Sequence, residues 1–474
     1  MNKHLQTPVS LAASLLLFAS AATAQTITDL PRIQTTSIIR ADIHPRELTS
    51  LNSQVYFTAQ DGTPSSEWNR RYLWSSTGSQ EGTSIVPSAK DIPIYPGVIP
   101  ASNFWERAYT RPGYEMVALG SNLLLSTLDG SVALLNPTDS SVSTKPVKVE
   151  RDWGVPRLPI YAPERLNLYK AGNNAYTVEQ GELFGISAEP FSVSQLTNIR
   201  STTKSDPASA YVSAFAPAGA SIIYGVTQYA VGDLPSKNPL FSMLYSFNGQ
   251  AHNKLNPFEI SNGVPQFRIS GIPEIVDVSV PSGASFLEGA YIGRFNGTSP
   301  NLVKLNLAPL QRDEQVVFSP QSFTPSDSPF LHVLTRLPRG GVQLYRGIVN
   351  RNNSVSWSRL WAGVEDYTTF GYVSMVKVFG GNVFIQYMMG QTIVVRADGS
   401  WRYVDGSDPD FQFVKLVLNT KELLNVGKLW FFSSADGKDL GVAKEVSSAK
   451  PTGWNPGPKR RSATPAPTPG VTTP

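Results

Sequence analysis

The sequence predicts an all-β protein, and three observations carry that expectation. Apolar and polar residues alternate with a period of two in short runs along the whole chain, each bounded by Gly, Pro, Asn or Asp turn signals. No amphipathic helix longer than about two turns emerges from the apolar periodicity. The strand–turn–strand runs begin at Gln54, Asn122, Asn174, Ala220, Gly289, Gly341, Asn382 and Lys428, about 40 to 70 residues apart, with no Pro/Ser-rich linker between residues 26 and 449. Four-stranded units of ~40–50 residues are the blades of β-propellers, the excess being loop. Two or three sandwich domains would account for the strands but not for the missing linkers. The expected architecture is a single β-propeller of about seven or eight blades over residues 25–449, closed by pairing of its N- and C-terminal strands.

From the N-terminus, the chain opens "MNKHLQTPVSLAASLLLFASAATAQ". Lys3, the apolar run 11–22 and the small-x-small site Ala22-Thr23-Ala24 follow the order of a secretory signal peptide, residues 1–24. No later segment reaches the ~18 unbroken apolar residues of a spanning helix. The mature chain is therefore expected to be exported, to the periplasm, the cell surface or the medium. It has no Cys, which excludes lipid attachment at a processed cysteine, thiolate metal sites and thiol nucleophiles. A chain of this length buries enough core to do without disulfides.

The next segment, "TTSIIRADI" at 35–43, precedes the first clear blade and is expected to supply a missing strand to the blade holding residues 428–446. That pairing would remove an exposed edge. "QVYFTA" (54–59) is a strand; "NLLLSTLDGSVALLN" (122–136) and "AYTVEQGELFGIS" (175–187) are hairpins turned at Asp129-Gly130 and Gln180-Gly181. Strands follow in "ASIIYGVTQYA" (220–230), "GAYIGRFNG" (289–297), "GVQLYRGIVNRNNSVSWSRLW" (341–361), "NVFIQYMMGQTIVVRADGSWRYV" (382–404) and "KLWFFSSADGKDLGVAKEV" (428–446).

One stretch carries a family resemblance. In "LNSQVYFTAQDGTPSSEWNRRYLWSSTGSQEGTSIV", Val55-Tyr56-Phe57-Thr58-Ala59, Asp61-Gly62-Thr63, Leu73-Trp74 and Glu81-Gly82-Thr83 fall in the order of the hyalin-like repeat of bacterial propellers. In that repeat "YFTADDGT" leads to "ELWxTDGTxxGT" and an "LVKDI" exit, which Lys90-Asp91-Ile92 echoes. Tyr72 stands where the repeat has Glu, and Thr77-Gly78-Ser79 where it has Asp-Gly-Thr. Leu429-Trp430-Phe431-Phe432 and Ala435-Asp436-Gly437 form a fainter copy. The resemblance covers residues 51–92 and 427–446 and implies a propeller; the blades between match in pattern alone.

The last segment, 450–474, is rich in Pro, Thr, Gly and Ala without an apolar face and is expected to be a disordered basic tail. Its Lys459-Arg460-Arg461 could meet acidic polymer or lipid headgroups. It also explains the net charge. Without Lys3 and the tail's four cations, the remainder of the 40 Lys and Arg balances the 36 Asp and Glu to within one charge. A nucleic-acid groove, which needs clustered Lys and Arg, is not expected.

Chemistry-bearing residues are few. The four His, at positions 4, 44, 252 and 332, share no ligand spacing such as H-x-H or H-E-x-x-H, and His332 in "PFLHVLT" reads as a structural histidine. Asp405, Asp408 and Asp410 in "VDGSDPDF" form the densest acidic group, and carboxylate oxygens at that spacing suit Ca²⁺. Large rings beside charges in loops suit sugars or partner proteins: Trp68 with Arg70 and Arg71 in "SSEWNRR", Trp105 with Arg107 in "SNFWERAY", and Trp153 in "ERDWGVP". Loops on a rigid scaffold are where function gathers, which points to the insertions at 87–115 and 145–168.

These residues predict a monomeric, non-enzymatic propeller that binds an extracellular polysaccharide or an envelope protein. A glycan hydrolase or lyase is the alternative, with Glu106 and Asp152 as its acid–base candidates but no catalytic residue assigned. An envelope-assembly scaffold pairing through strand edges is a third reading.

Overall fold

A computed structural model describes residues 30–61, 71–94, 115–148, 168–199, 210–261, 331–364, 371–446 and 454–455 with short internal gaps, and between 266 and 318 the backbone of five strands. Among the described residues, 32 strands form eight four-stranded antiparallel sheets. Sheets 1 to 7 are each four consecutive strands, within residues 46–85, 116–146, 169–195, 210–261, 266–304, 315–364 and 373–404. Sheet 8 joins three strands of residues 420–446 to the N-terminal strand β1 (Arg32–Arg40). β1 lies antiparallel to Leu440–Val446, with Arg32 opposite Val446 and Arg40 opposite Leu440. Successive four-stranded meanders of this kind fit the blades of a β-propeller.

The packing explains the sequence pattern. Side chains alternate across a strand, and here both faces of the middle strands are covered. In strand Asn122–Ser126, Leu123 and Leu125 join Leu73 of sheet 1, while Leu124 joins Ala175 and Phe184 of sheet 3. Hence "LLL" stands where a half-buried strand would alternate. The same sharing links sheets 3 and 4 through Tyr176 and Ile222, and sheets 6 and 7 through Leu344 and Val383. Between sheets 8 and 1, Phe431 and Val442 meet Val55, Phe57 and Trp74.

Turn chemistry sets the register. Asn52 and Ser53 both take positive φ (51° and 62°) between the paired Leu51 and Gln54, the geometry of a two-residue hairpin that follows strand twist. Gly181, at φ 79°, turns the chain between the paired Glu179 and Glu182, where the sequence placed a turn. Helix α1 (Phe411–Leu418) fills the space between sheets 7 and 8 with Phe413, Val414 and Val417. Lys377 Nζ closes its end by donating to the carbonyls of Val417 (2.9 Å) and Thr420 (2.6 Å). Eight residues are too few for a helical period to stand out in the sequence.

Within the segment expected as a tail, Trp454 and Asn455 dock on sheet 7. Asn455 exchanges backbone hydrogen bonds with Trp401 (3.1 and 2.8 Å), and the Arg396 guanidinium sits 3.6 Å from the Trp454 ring centroid. No helix among the described residues is long and apolar enough to cross a membrane.

Candidate functional site

The connection 62–70 leaves strand Gln54–Ala59 through Asp61 and returns at Arg71 into strand Tyr72–Ser76. Its ends mark a polar corner where sheets 8, 1 and 2 meet. Arg71 is 2% exposed. Its Nε donates to Glu115 Oε2 at 2.8 Å, and its Nη2 to the carbonyls of His44 (2.8 Å) and Thr58 (2.7 Å). Thr58 Oγ1 donates to the same Glu115 oxygen at 2.6 Å, and Arg46 Nη1 lies 3.4 Å from the other. Glu47 accepts the backbone N–H groups of Glu115 and Met116, each at 2.6 Å. The Leu48 N–H donates to Glu422 of sheet 8 at 2.9 Å.

The backbone here is held in costly conformations: Asp42, His44 and Glu47 have φ of 53°, 49° and 61°. Asp42 N–H donates to Asp439 Oδ1 (3.0 Å) and His44 N–H to the Lys438 carbonyl (2.8 Å), which hold that crossing in place. Burial pushes the Glu47 carboxyl well above its ordinary range, and the neighbouring Glu115 charge pushes it further; the two backbone N–H groups pull against both. Burial, then Arg71 and Arg46, lower the His44 pKa. Burial also lowers Arg71, and Glu115 draws it back up. Every carboxylate named is engaged by backbone donors or a guanidinium. The cluster ties the start of strand Tyr72–Ser76 to its neighbours in sheets 1, 2 and 8.

Beside this cluster, Ile43, Asp61 and Trp74 line a cleft of about 360 Å³ between sheets 8 and 1. Trp74 is 6% exposed and stacks on Phe57, with ring centroids 6.2 Å apart.

Of the residues expected to bind ligand, Trp68, Arg70, Trp105, Arg107 and Trp153 lie outside the described residues, as do Glu106 and Asp152. Arg71, expected beside Trp68 as a ligand contact, is an internal ion-pair residue, because its partner Glu115 closes over it from sheet 2. Of the acidic group, Asp408 and Asp410 converge on Arg402, while Asp405 is engaged by Ser407. Asp405 Oδ1 accepts the Ser407 N–H (2.9 Å) and hydroxyl (2.6 Å), which lower its pKa. Asp408 binds Arg402 Nη1 at 2.8 Å; Asp410, buried and raised by that burial, pairs with Arg402 Nη2 and lies 3.8 Å from Arg32 Nε of β1. Among the described residues no group of three or more His, Asp or Glu side chains gathers as a metal ion requires. The sequence gives no signal for Glu47, Glu115 and Glu422, because their partners are remote along the chain.

No family model matches the chain. No curated protein matches it either. Solved structures similar to it include Sqt1 of Saccharomyces cerevisiae, at 11% identity and TM-score 0.40 over 88% of this chain and 100% of that one. BamB of Moraxella catarrhalis is similar at 9% identity and TM-score 0.34, over 88% and 100%. The WD40 domain of SCAP from fission yeast is similar at 10% identity and TM-score 0.36, over 87% and 98%.

Proposed function

We propose that this chain is an exported, non-enzymatic β-propeller, its ring closed by the β1 strand, that binds an extracellular polysaccharide or an envelope protein. The observation that supports the reading is the buried Arg71–Glu115 pair, which ties Arg71, the first described residue after the 62–70 segment, to sheets 1 and 2. Rigidly mounted connections are where scaffolds place recognition residues. In this reading Trp68 supplies an aromatic platform and Arg70 a charge on that connection. Trp105, Arg107 and Trp153 serve the same role on the two long insertions, and Ca²⁺ at Asp405, Asp408 and Asp410 is not required. The non-enzymatic part rests on the carboxylates of the corner, which are spent on structure. Export rests on residues 1–24 alone.

A glycan array probed with the mature chain, followed by a screen for soluble products from each captured glycan, tests the proposal. Capture without product is the expected result. Product release would establish the hydrolase or lyase alternative, and capture of no glycan would remove the polysaccharide ligand.

A further inference from the structure

The turn between strands Asn382–Tyr387 and Thr392–Val395 of sheet 7 presents two methionines to solvent. Met388 is 68% exposed and Met389 57%, the highest values among the large apolar side chains of the described residues. The turn is held by its backbone. Tyr387 N–H donates to the Gln391 carbonyl (2.9 Å), Gly390 N–H donates to the Tyr387 carbonyl (2.9 Å), and Gly390 takes a φ of 88°. The turns between the second and third strands of sheets 2, 3 and 8 carry Asp129-Gly130, Gln180-Gly181 and Asp436-Gly437 instead, the polar and glycine residues that turns favour. Apolar side chains left in water add nothing to a core, so stability does not account for the pair. Met388 N–H donates to the Tyr372 carbonyl (2.9 Å), and the exposed Tyr372 ring lies 5.4 Å from the Arg336 guanidinium of sheet 6. The methionines therefore belong to a surface that sheets 6 and 7 share.

What sets these side chains apart is chemical. The chain has no Cys, which leaves the thioether as its readily oxidised sulfur group. Of its six Met, Met1 falls within residues 1–24. Met116 is 2% exposed, and Met243 and Met375 are half-buried, Met375 against the core between sheets 7 and 8. Oxidation follows access to the sulfur, so an oxidant in solution meets Met388 and Met389 first. We propose that Met388 and Met389 form a reversible oxidation site, at which a hydroperoxide converts the two thioethers to sulfoxides and makes an apolar surface polar without loosening the fold. A sulfur lone pair attacks one peroxide oxygen, the O–O bond breaks, and the other oxygen leaves as water after proton transfer. Each sulfur loses two electrons and the peroxide gains them. Methionine sulfoxide reductases, one for each sulfoxide epimer, restore the thioether. The site stands whatever ligand the chain captures.

Hydrogen peroxide added to the folded mature chain, with the sulfoxide at each Met followed over time by peptide mapping, tests the proposal. Met388 and Met389 should oxidise ~10-fold or more faster than Met116, with Met243 and Met375 between. The chain oxidised at the pair alone should keep the melting midpoint of the untreated chain and elute earlier in hydrophobic-interaction chromatography. Met388→Leu/Met389→Leu keeps the turn apolar without its thioethers, so the same treatment should leave its elution unchanged. Incubation of the oxidised parent with both sulfoxide reductases and dithiothreitol should restore the original elution. Oxidation of Met116 or Met375 at the rate of the pair overturns the proposal, as does a lowered midpoint when only the pair is oxidised. Sulfoxides that both enzymes leave in place on the folded chain also overturn it. Capture of no glycan on the array would leave each of these readouts intact.

Discussion

Arg71 and Glu115, 44 residues apart in sequence, form an ion pair of 2.8 Å in which each side chain is only 2% exposed. A charge pair taken this far from water holds only when its remaining polar atoms are satisfied. Here the Thr58 hydroxyl, two carbonyls and Arg46 do so. The pair thereby ties the start of the Tyr72–Ser76 strand to sheet 2.

Removing the guanidinium strands a buried carboxylate and two carbonyls. Arg71→Met should therefore destabilise the fold by ~3–5 kcal/mol, read as a lower urea midpoint. Arg71→Lys keeps the charge without the planar fork and should fall between Met and the parent. A midpoint for Arg71→Met within error of the parent would show that the pair holds nothing.

Glu47 predicts a pH dependence with a definite sign. Its folded-state pKa is raised, first by burial and then by the Glu115 charge. The folded chain therefore keeps the Glu47 proton to higher pH than the unfolded chain does. That contribution is fully present below the ordinary glutamate range and is lost as pH rises from there through the raised value. Glu47→Gln should flatten this slope. It should also cost ~1 kcal/mol at low pH, because one amide oxygen serves two backbone N–H groups poorly. Chemical denaturation at several pH values reads both effects; parallel curves for parent and variant would contradict the assignment.

β1 should be indispensable. Ile33 and Ile39 of β1 and the flanking Leu30 and Ile43 are all buried, each worth ~1.5–3 kcal/mol, and together they rival the ~5–15 kcal/mol stability of a whole domain. Deleting residues 26–45 should abolish the cooperative melting transition. A parent-like melt would show that β1 contributes nothing essential to sheet 8.

The docked Trp454 predicts a smaller effect. Trp454→Ala removes the ring under Arg396 and should cost ~0.5–2 kcal/mol. Protease cleavage within 450–460 should become faster while the melting transition of the sheets stays cooperative.

The sequence made some levels of this structure legible and hid others. Strands such as Gln54–Ala59, and the Asp129-Gly130 and Gln180-Gly181 turns, were readable because alternation and turn residues are local signals. Arg71 was misread for the opposite reason: a loop arginine beside a tryptophan looks solvent-facing until a glutamate 44 residues away closes over it. Asp408 and Asp410 looked like cation ligands by spacing, but Arg402, from the preceding strand, already holds both. The cleft lined by Ile43, Asp61 and Trp74 was not legible because its walls come from two sheets and no local signal sets those side chains face to face.

The most direct measurement of the account's central claim is the affinity of the Trp68→Ala/Arg70→Ala double variant for whatever glycan or envelope protein the parent captures. The expected result is an unchanged melting midpoint, because Arg71 and Glu115 are untouched, together with a loss of affinity of at least ~10-fold. Parent-like affinity in a folded double variant would contradict the claim that Trp68 and Arg70 belong to the recognition surface.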